Sequence, residues 1–257
     1  MPFWFKREII WERLCKGSLV SFRRTDVCNL DNEIILLKKG MIINLPDYYH
    51  DIHSGFGEDG VLYCVFRVIG LHKVPTFINI TNKYTRKNIF ETFIRLFKFE
   101  SNIQKPAICT IDDIREIPLR HPNTLDLVCV NSGGVEYWLL RTLLERVKPN
   151  VICCRVNHVI PLEQSVSAPY VPDHKRAELF DNNYHGVSLG GLKTLLEKEY
   201  LFIGVSRFAI FAFFVKKALV PPDVEFKEMN LKDIPAVKHA QEHRWPLVAK
   251  KFWISIK

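Results

Sequence analysis

The chain has 257 residues, 47% of them hydrophobic and 25% charged, enough to bury one substantial core and too apolar for a disordered chain. Its formal net charge of +8 suits a polyanionic partner, although charge alone does not name nucleic acid. None of the seven cysteines pairs as CxxC, and Cys64, Cys109, Cys129, Cys153 and Cys154 lie in apolar runs, which predicts buried free thiols and a reducing compartment.

Residues 2–16 (PFWFKREIIWERLCK) place Phe3, Ile10 and Leu14 along one side of a basic amphipathic helix. The segment is similar to an organellar targeting peptide, but Glu8 and Glu12 are unusual in one, so both cleavage and retention stay open. Residues 1–24 hold six basic side chains (Lys6, Arg7, Arg13, Lys16, Arg23 and Arg24) against those two glutamates, a net +4. Residues 29–44 read as a strand or hairpin, ended by Pro46 and the cluster of Tyr48, Tyr49 and His50. The run SGFGEDG at 54–60 opens a helix reaching Ile69, with Asp59 complementing the helix dipole.

From Lys73 strands alternate with helices. Strands are predicted at 76–80, 107–111, 125–130 and 151–156, and helices at 83–99, 134–147 and 188–199. The apolar stretch from Tyr200 to Val215 is short for a bilayer and carries Arg207, so it reads as strands 201–205 and 210–215 with a tight connection. No transmembrane segment is predicted. This alternation implies an α/β sandwich with a mostly parallel sheet and a closing antiparallel strand, its ligand side beyond the carboxyl ends of the strands.

The C-terminal part carries a helix at 233–243 and a basic aromatic tail that includes Arg244, Trp245, Lys250, Lys251, Phe252 and Trp253. Residues 215–257 hold nine basic and five acidic side chains, again +4, while the middle of the chain balances at 21 against 21. The basic ends are therefore the expected partner-binding parts, through Lys6, Arg7, Arg13, Arg23, Arg24, Arg244, Trp245, Lys250, Lys251 and Trp253. Three units follow: an N-terminal extension and hairpin at 1–50, a main domain at 51–217 and a basic extension at 218–257. His239 and His243 stand four apart on one helix with no obvious third metal ligand, and no nucleophile elbow supports Ser165, Ser167 and His174 as a catalytic set.

Four motifs, in order, carry a family resemblance. Residues 126–138 (DLVCVNSGGVEYW) resemble the D-L-L-S-I-D-x-D-G-N-D-Y-W motif of a class I S-adenosylmethionine-dependent methyltransferase-like family, and 54–60 resemble its S-Q-x-G-E-D-G motif. Residues 165–173 (SVSAPYVPD) and 184–189 (YHGVSL) resemble two later ones. The resemblance implies a Rossmann-like methyltransferase sandwich, shortened by about one βα unit because too little sequence separates the first helix from the strand at 107–111.

The departures imply a degenerate donor site. Where the family has E-F-G-x-x-x-G, this chain reads FINITNK at 77–83, and no glycine occurs between Gly70 and Gly133. Asn131 and Gly133 replace two aspartates, and Arg155-Val156-Asn157 replaces E-Y-N, so the acidic positions of the site are expected to be gone. The degenerate site comprises Asn79, Asn131, Gly133 and Arg155, with no cofactor, no catalytic residue and no metal expected.

The resemblance thus implies a pseudoenzyme. The preferred expectation is a structural, RNA-binding subunit of a large assembly such as a mitochondrial ribosome or another ribonucleoprotein, touching protein subunits and, through its basic ends, RNA. Two others stand beside it: an accessory subunit of a mitochondrial protein complex, for example of the respiratory chain, and an active S-adenosylmethionine-dependent methyltransferase. A mitochondrial location is expected, or another reducing intracellular compartment.

Overall fold

The computed structural model describes residues 42–49, 56–71, 76–81, 110–119, 125–172 and 183–257. The helices expected at 2–16 and 83–99, most of the hairpin at 29–44, Cys109, His174 and the cations Lys6, Arg7, Arg13, Arg23 and Arg24 lie outside the described residues.

The central sheet has five strands: β2 (Phe77–Thr81), β3 (Leu127–Asn131), β4 (Val151–Arg155), β6 (Tyr200–Val205) and β7 (Phe211–Lys216), in spatial order β2-β3-β4-β7-β6. β2, β3 and β4 are parallel neighbours, and β7 runs antiparallel to both β4 and β6. One reversed strand thus sits in a mostly parallel sheet.

Strands in such a sheet lose water from both sides and read as unbroken apolar runs; LVCVN in β3 is buried at every position. The register aligns Ile78, Val128, Ile152 and Phe214 across one face, and Asn79, Cys129, Cys153 and Phe213 across the other. The first face packs under α3 (Glu136–Leu144) and α4 (Leu189–Leu196) through Leu139, Leu140, Leu143, Leu192 and Leu196. The second packs under α1 (Glu58–Val68) through Val61, Leu62, Val65 and Phe66. Each such side chain removed from water contributes about 1.5–3 kcal/mol, which makes these two interfaces the main source of stability.

α2 (Ile111–Glu116) corrects an expectation, because Ile111 begins a helix instead of ending a strand. Thr110 and Asp113 form a capping box: the Thr110 hydroxyl accepts from Asp113 N at 3.1 Å and the Asp113 carboxylate accepts from Thr110 N at 2.7 Å. These local bonds satisfy helix-end donors that a strand would leave to a neighbour. α3 likewise begins at Glu136 and not at Gly134, since Gly134 takes φ +154° and cannot belong to a right-handed helix.

The C-terminal segment is woven into the body. β8 (Glu225–Phe226) pairs in parallel with β1 (Ile42–Ile43), and α5 (Pro235–His243) leads through Arg244 into α6 (Trp245–Val248). β9 (Ile254–Ser255) pairs antiparallel with β5 (Val166–Ser167) as a separate small sheet, with Ile256 buried behind it. Among the described residues no helix is long and apolar enough to cross a membrane.

Asp126 ties the amino edge of the central sheet together. Its carboxylate, 1% exposed, accepts from Thr76 N at 2.8 Å, from the Thr76 hydroxyl at 3.1 Å and from Asn150 Nδ2 at 2.8 Å. One side chain therefore joins the starts of β2, β3 and β4. Asp126→Ala is expected to lower unfolding free energy by about 3 kcal/mol, because buried donors lose a charged acceptor, and Asp126→Asn by less. Urea denaturation checks both, and equal stability of the alanine variant and the wild type would remove Asp126 from this role.

Candidate functional site

Parallel strands bring their carboxyl ends to one edge, so Thr81, Asn131 and Arg155 end β2, β3 and β4 there. Between β3 and α3 the chain turns through Ser132, Gly133 and Gly134. Such a turn aims successive amides outward and can cradle an anion.

Here the anion is the chain's own. Glu136, 1% exposed, folds back so that Oε1 accepts from Gly133 N at 2.7 Å and from Gly134 N at 3.0 Å. Gly186 closes over it with φ +66°, where an added Cβ would come within 3.3 Å of Glu136 Oε2, and its amide donates to Gly134 O at 2.9 Å. A side chain at Gly186 would press on the carboxylate and take up a strained backbone angle.

Asn157 fixes the loop beyond β4. Its Nδ2 donates to the carbonyls of Asn183 and His185 at 2.9 and 2.8 Å, and its Oδ1 accepts from Val159 N at 3.1 Å. All three bonds join backbone to a buried amide, so Asn157 is a brace. Next to it, Arg155 Nη1 donates to Asn131 Oδ1 at 3.2 Å. Burial, then the charges of Arg244 and Arg155, lower the His158 pKa from 6.5 to about 4, which keeps the ring neutral near pH 7.

The degenerate-site residues divide in two. Asn131, Gly133 and Arg155 meet at the carboxyl edge, whereas Asn79 lies inside β2, 7% exposed, in register with Cys129. Asn131, Gly133 and Arg155 carry no carboxylate, but acidic side chains stand close by. Glu136 remains at the turn, and Glu58 and Asp59 open α1 as buried carboxylates, Glu58 accepting from Phe56 N at 3.1 Å. Glu136 and Glu58 thus serve as acceptors for backbone amides. Glu136 was visible in the sequence as an acid two residues after paired glycines; His158 carried no signal.

Arg244, Trp245, Lys250, Lys251 and Trp253 gather around α5, α6 and β9. Arg244, Lys250 and Lys251 are exposed, while Trp245 and Trp253 are half-buried. Trp253 Nε1 donates to Val248 O at 3.1 Å, and its ring stands edge-on to Tyr184 at 4.7 Å and tilted to Trp245 at 5.8 Å. The tryptophans thus hold the tail in place, and the exposed apolar groups there are Leu247 and Phe252, 66% and 71% exposed.

Other candidates resolve simply. The rings of His239 and His243 stack at 4.5 Å, and no group of three or more His, Cys, Asp or Glu suited to a metal occurs among the described residues. Ser165 Oγ donates to Ile256 O at 2.9 Å and Ser167 Oγ to Ala168 O at 3.0 Å, so both hydroxyls serve the backbone. Cys64, Cys129, Cys153 and Cys154 are free and buried, and burial pushes the thiols of Cys64, Cys153 and Cys154 far above their ordinary range, which leaves them unreactive.

Comparison with protein families, curated proteins and solved structures gives no match for this chain.

Two outcomes are expected. Glu136→Ala should destabilise by about 3 kcal/mol because two buried amides lose a charged acceptor, whereas Asn131→Ala, which gives up one long bond, should lose less than about 1 kcal/mol. Chemical denaturation that ranks them in the opposite order would show that the turn does not rely on its carboxylate. For His158, a folded pKa below the unfolded one means that the unfolded chain binds more protons between pH 6.5 and about 4, so stability falls as the pH is lowered through that window. The wild type should lose at most about 3 kcal/mol from this group, and His158→Gln should remove that part of the slope. Identical slopes for the two proteins would mean that the ring is not held neutral.

Proposed function

We propose that the chain is a catalytically silent relative of class I S-adenosylmethionine-dependent methyltransferases that serves as a structural subunit of a large assembly, a mitochondrial ribosome or another ribonucleoprotein. The observation that carries this reading is the Glu136 carboxylate seated on the amides of Gly133 and Gly134. A turn that has filled its own anion cradle has no amide left there for a ligand's negative group. Arg155 adds to the argument, since a guanidinium at the end of β4 cannot accept a proton or orient a donor's ammonium as a carboxylate would. The strand order, with one reversed strand between β4 and β6, suits the Rossmann-like sandwich that the motifs imply.

Partner contacts fall to protein subunits and RNA, the latter through the basic C-terminal corner described above and the basic N-terminal residues. Exposed Leu247 and Phe252 favour a second reading, an accessory subunit of an all-protein mitochondrial complex, because apolar side chains on a surface suit a protein neighbour.

Two measurements test this. Titration calorimetry of the purified protein with S-adenosylmethionine should give no binding heat, and micromolar affinity would overturn catalytic silence in favour of an active methyltransferase. Isolation of the native particle should recover ribosomal or other structured RNA with the chain, and a particle of protein alone would replace the first reading by the second.

A further inference from the structure

Two guanidinium groups and a histidine meet at one corner of the molecule, and among the described residues no carboxylate pairs with either guanidinium. Arg155 ends β4, His158 lies in the turn that follows, and Arg244 joins α5 to α6. The corner is built. Gln241 Nε2 donates to Ile160 O at 3.2 Å, and Val159 packs against Ala240 and Val248, which seats the 157–160 turn against both helices. Both guanidiniums reach the His158 ring electrostatically. Arg155 Nε is buried with no hydrogen-bonding partner, and neither arginine forms an ion pair among the described residues. Half-buried positive charge without a counter-charge is unfavourable by itself and is relieved by an arriving anion.

The same corner displays a ring and two more cations. Asn157 Nδ2 bonds the carbonyls on either side of Tyr184, Tyr184 donates its hydroxyl to Phe252 O, and Lys251 Nζ stands 5.1 Å from the Tyr184 ring centre. The Phe252 backbone and the Lys251 side chain are therefore tied to the loop that leaves β4, and Lys250, Lys251 and Phe252 are exposed.

We infer that this corner is a binding site for single-stranded nucleic acid, with Arg155, Arg244, Lys250 and Lys251 holding successive phosphates beside His158 and Phe252 stacking on an unpaired base. Several cations spread around one exposed ring match a backbone that repeats a phosphate and a π-face at each step. A phosphopeptide offers one phosphate and no base, and a duplex hides its bases from Phe252. That the strand is RNA rests on the ribonucleoprotein reading above; the site itself does not.

The test uses the full chain and fluorescein-labelled decauridylate, read by fluorescence anisotropy over a salt series. Arg244 and Phe252 are exposed, so their replacement leaves the core intact. Arg244→Ala should weaken binding and flatten the log-log salt slope by about 0.7, the value for one single-strand phosphate contact. Phe252→Ala should weaken binding by about tenfold with the slope unchanged, as lost stacking does. Leu247→Ala, the exposed apolar control, should bind as the wild type does. The inference is overturned if the wild type does not bind decauridylate, if Arg244→Ala and Phe252→Ala both bind unchanged, or if inorganic phosphate or a phosphoserine peptide competes as well as unlabelled decauridylate. A native particle without RNA, together with the expected losses in both variants, would sink the ribonucleoprotein reading and leave the site standing. RNA in the particle with no loss in either variant would do the reverse.

Discussion

The hydrogen bonds from the amides of Gly133 and Gly134 to Glu136 decide what the carboxyl edge of the sheet can be. They hold the turn between β3 and α3 closed, which sets where α3 starts and how it lies on the sheet. The fixed turn then offers Gly134 O to Gly186, and the segment around Gly186 carries Ser188, whose hydroxyl accepts from Gly191 N at the start of α4 and from Val166 N in β5. A carboxylate is the right group for this post because it is acceptor-only and negative at a helix N-terminus, where backbone amides are in surplus. A ligand anion could do the same chemistry, but only while bound. The permanent side chain makes the edge rigid without it.

The two edges of the sheet are organised alike. At the amino edge Asp126 gathers the starts of three strands, and at the carboxyl edge Glu136 and Asn157 lock the departing loops. Both faces between them are filled by apolar side chains from α1, α3 and α4. Burial supplies the bulk of the free energy, and it does not specify which loop goes where. The buried polar groups supply that specificity through bonds with fixed partners and directions. The unreactive thiols of Cys153 and Cys154 fit the same description, as apolar filling in a layer with no chemistry of its own.

The strands were the legible part of the sequence. Runs such as LVCV and FAFFV are apolar at every position, which only a sheet covered on both faces allows at that length, and the Tyr200–Val215 hairpin followed from Arg207 interrupting an apolar stretch. Ile111 was misread because its apolar neighbours outweighed Thr110 and Asp113, whose spacing is a helix-start signal. The pairing of β9 with β5 could not be read, since a two-residue strand has no periodicity and exists only because Ser165 and Ile256 meet in space. Of the site, the glycine turn and Arg155 were visible as departures from a motif. His158 was not, because its neutrality comes from burial and from Arg244, eighty-six residues further along the chain.

The carboxyl edge holds a buried negative group and a half-buried positive one, Glu136 and Arg155, yet they form no ion pair among the described residues. Glu136 is already satisfied by two amides, so an approach to Arg155 would exchange short, directed bonds for a contact whose desolvation largely cancels its attraction. The guanidinium instead leans on the neutral Asn131, which accepts one bond and leaves the charge intact. An aspartate at position 131 would have neutralised it. With a neutral amide at position 131 the edge keeps one positive charge that no ion pair among the described residues offsets, and an arriving anion would find it uncompensated.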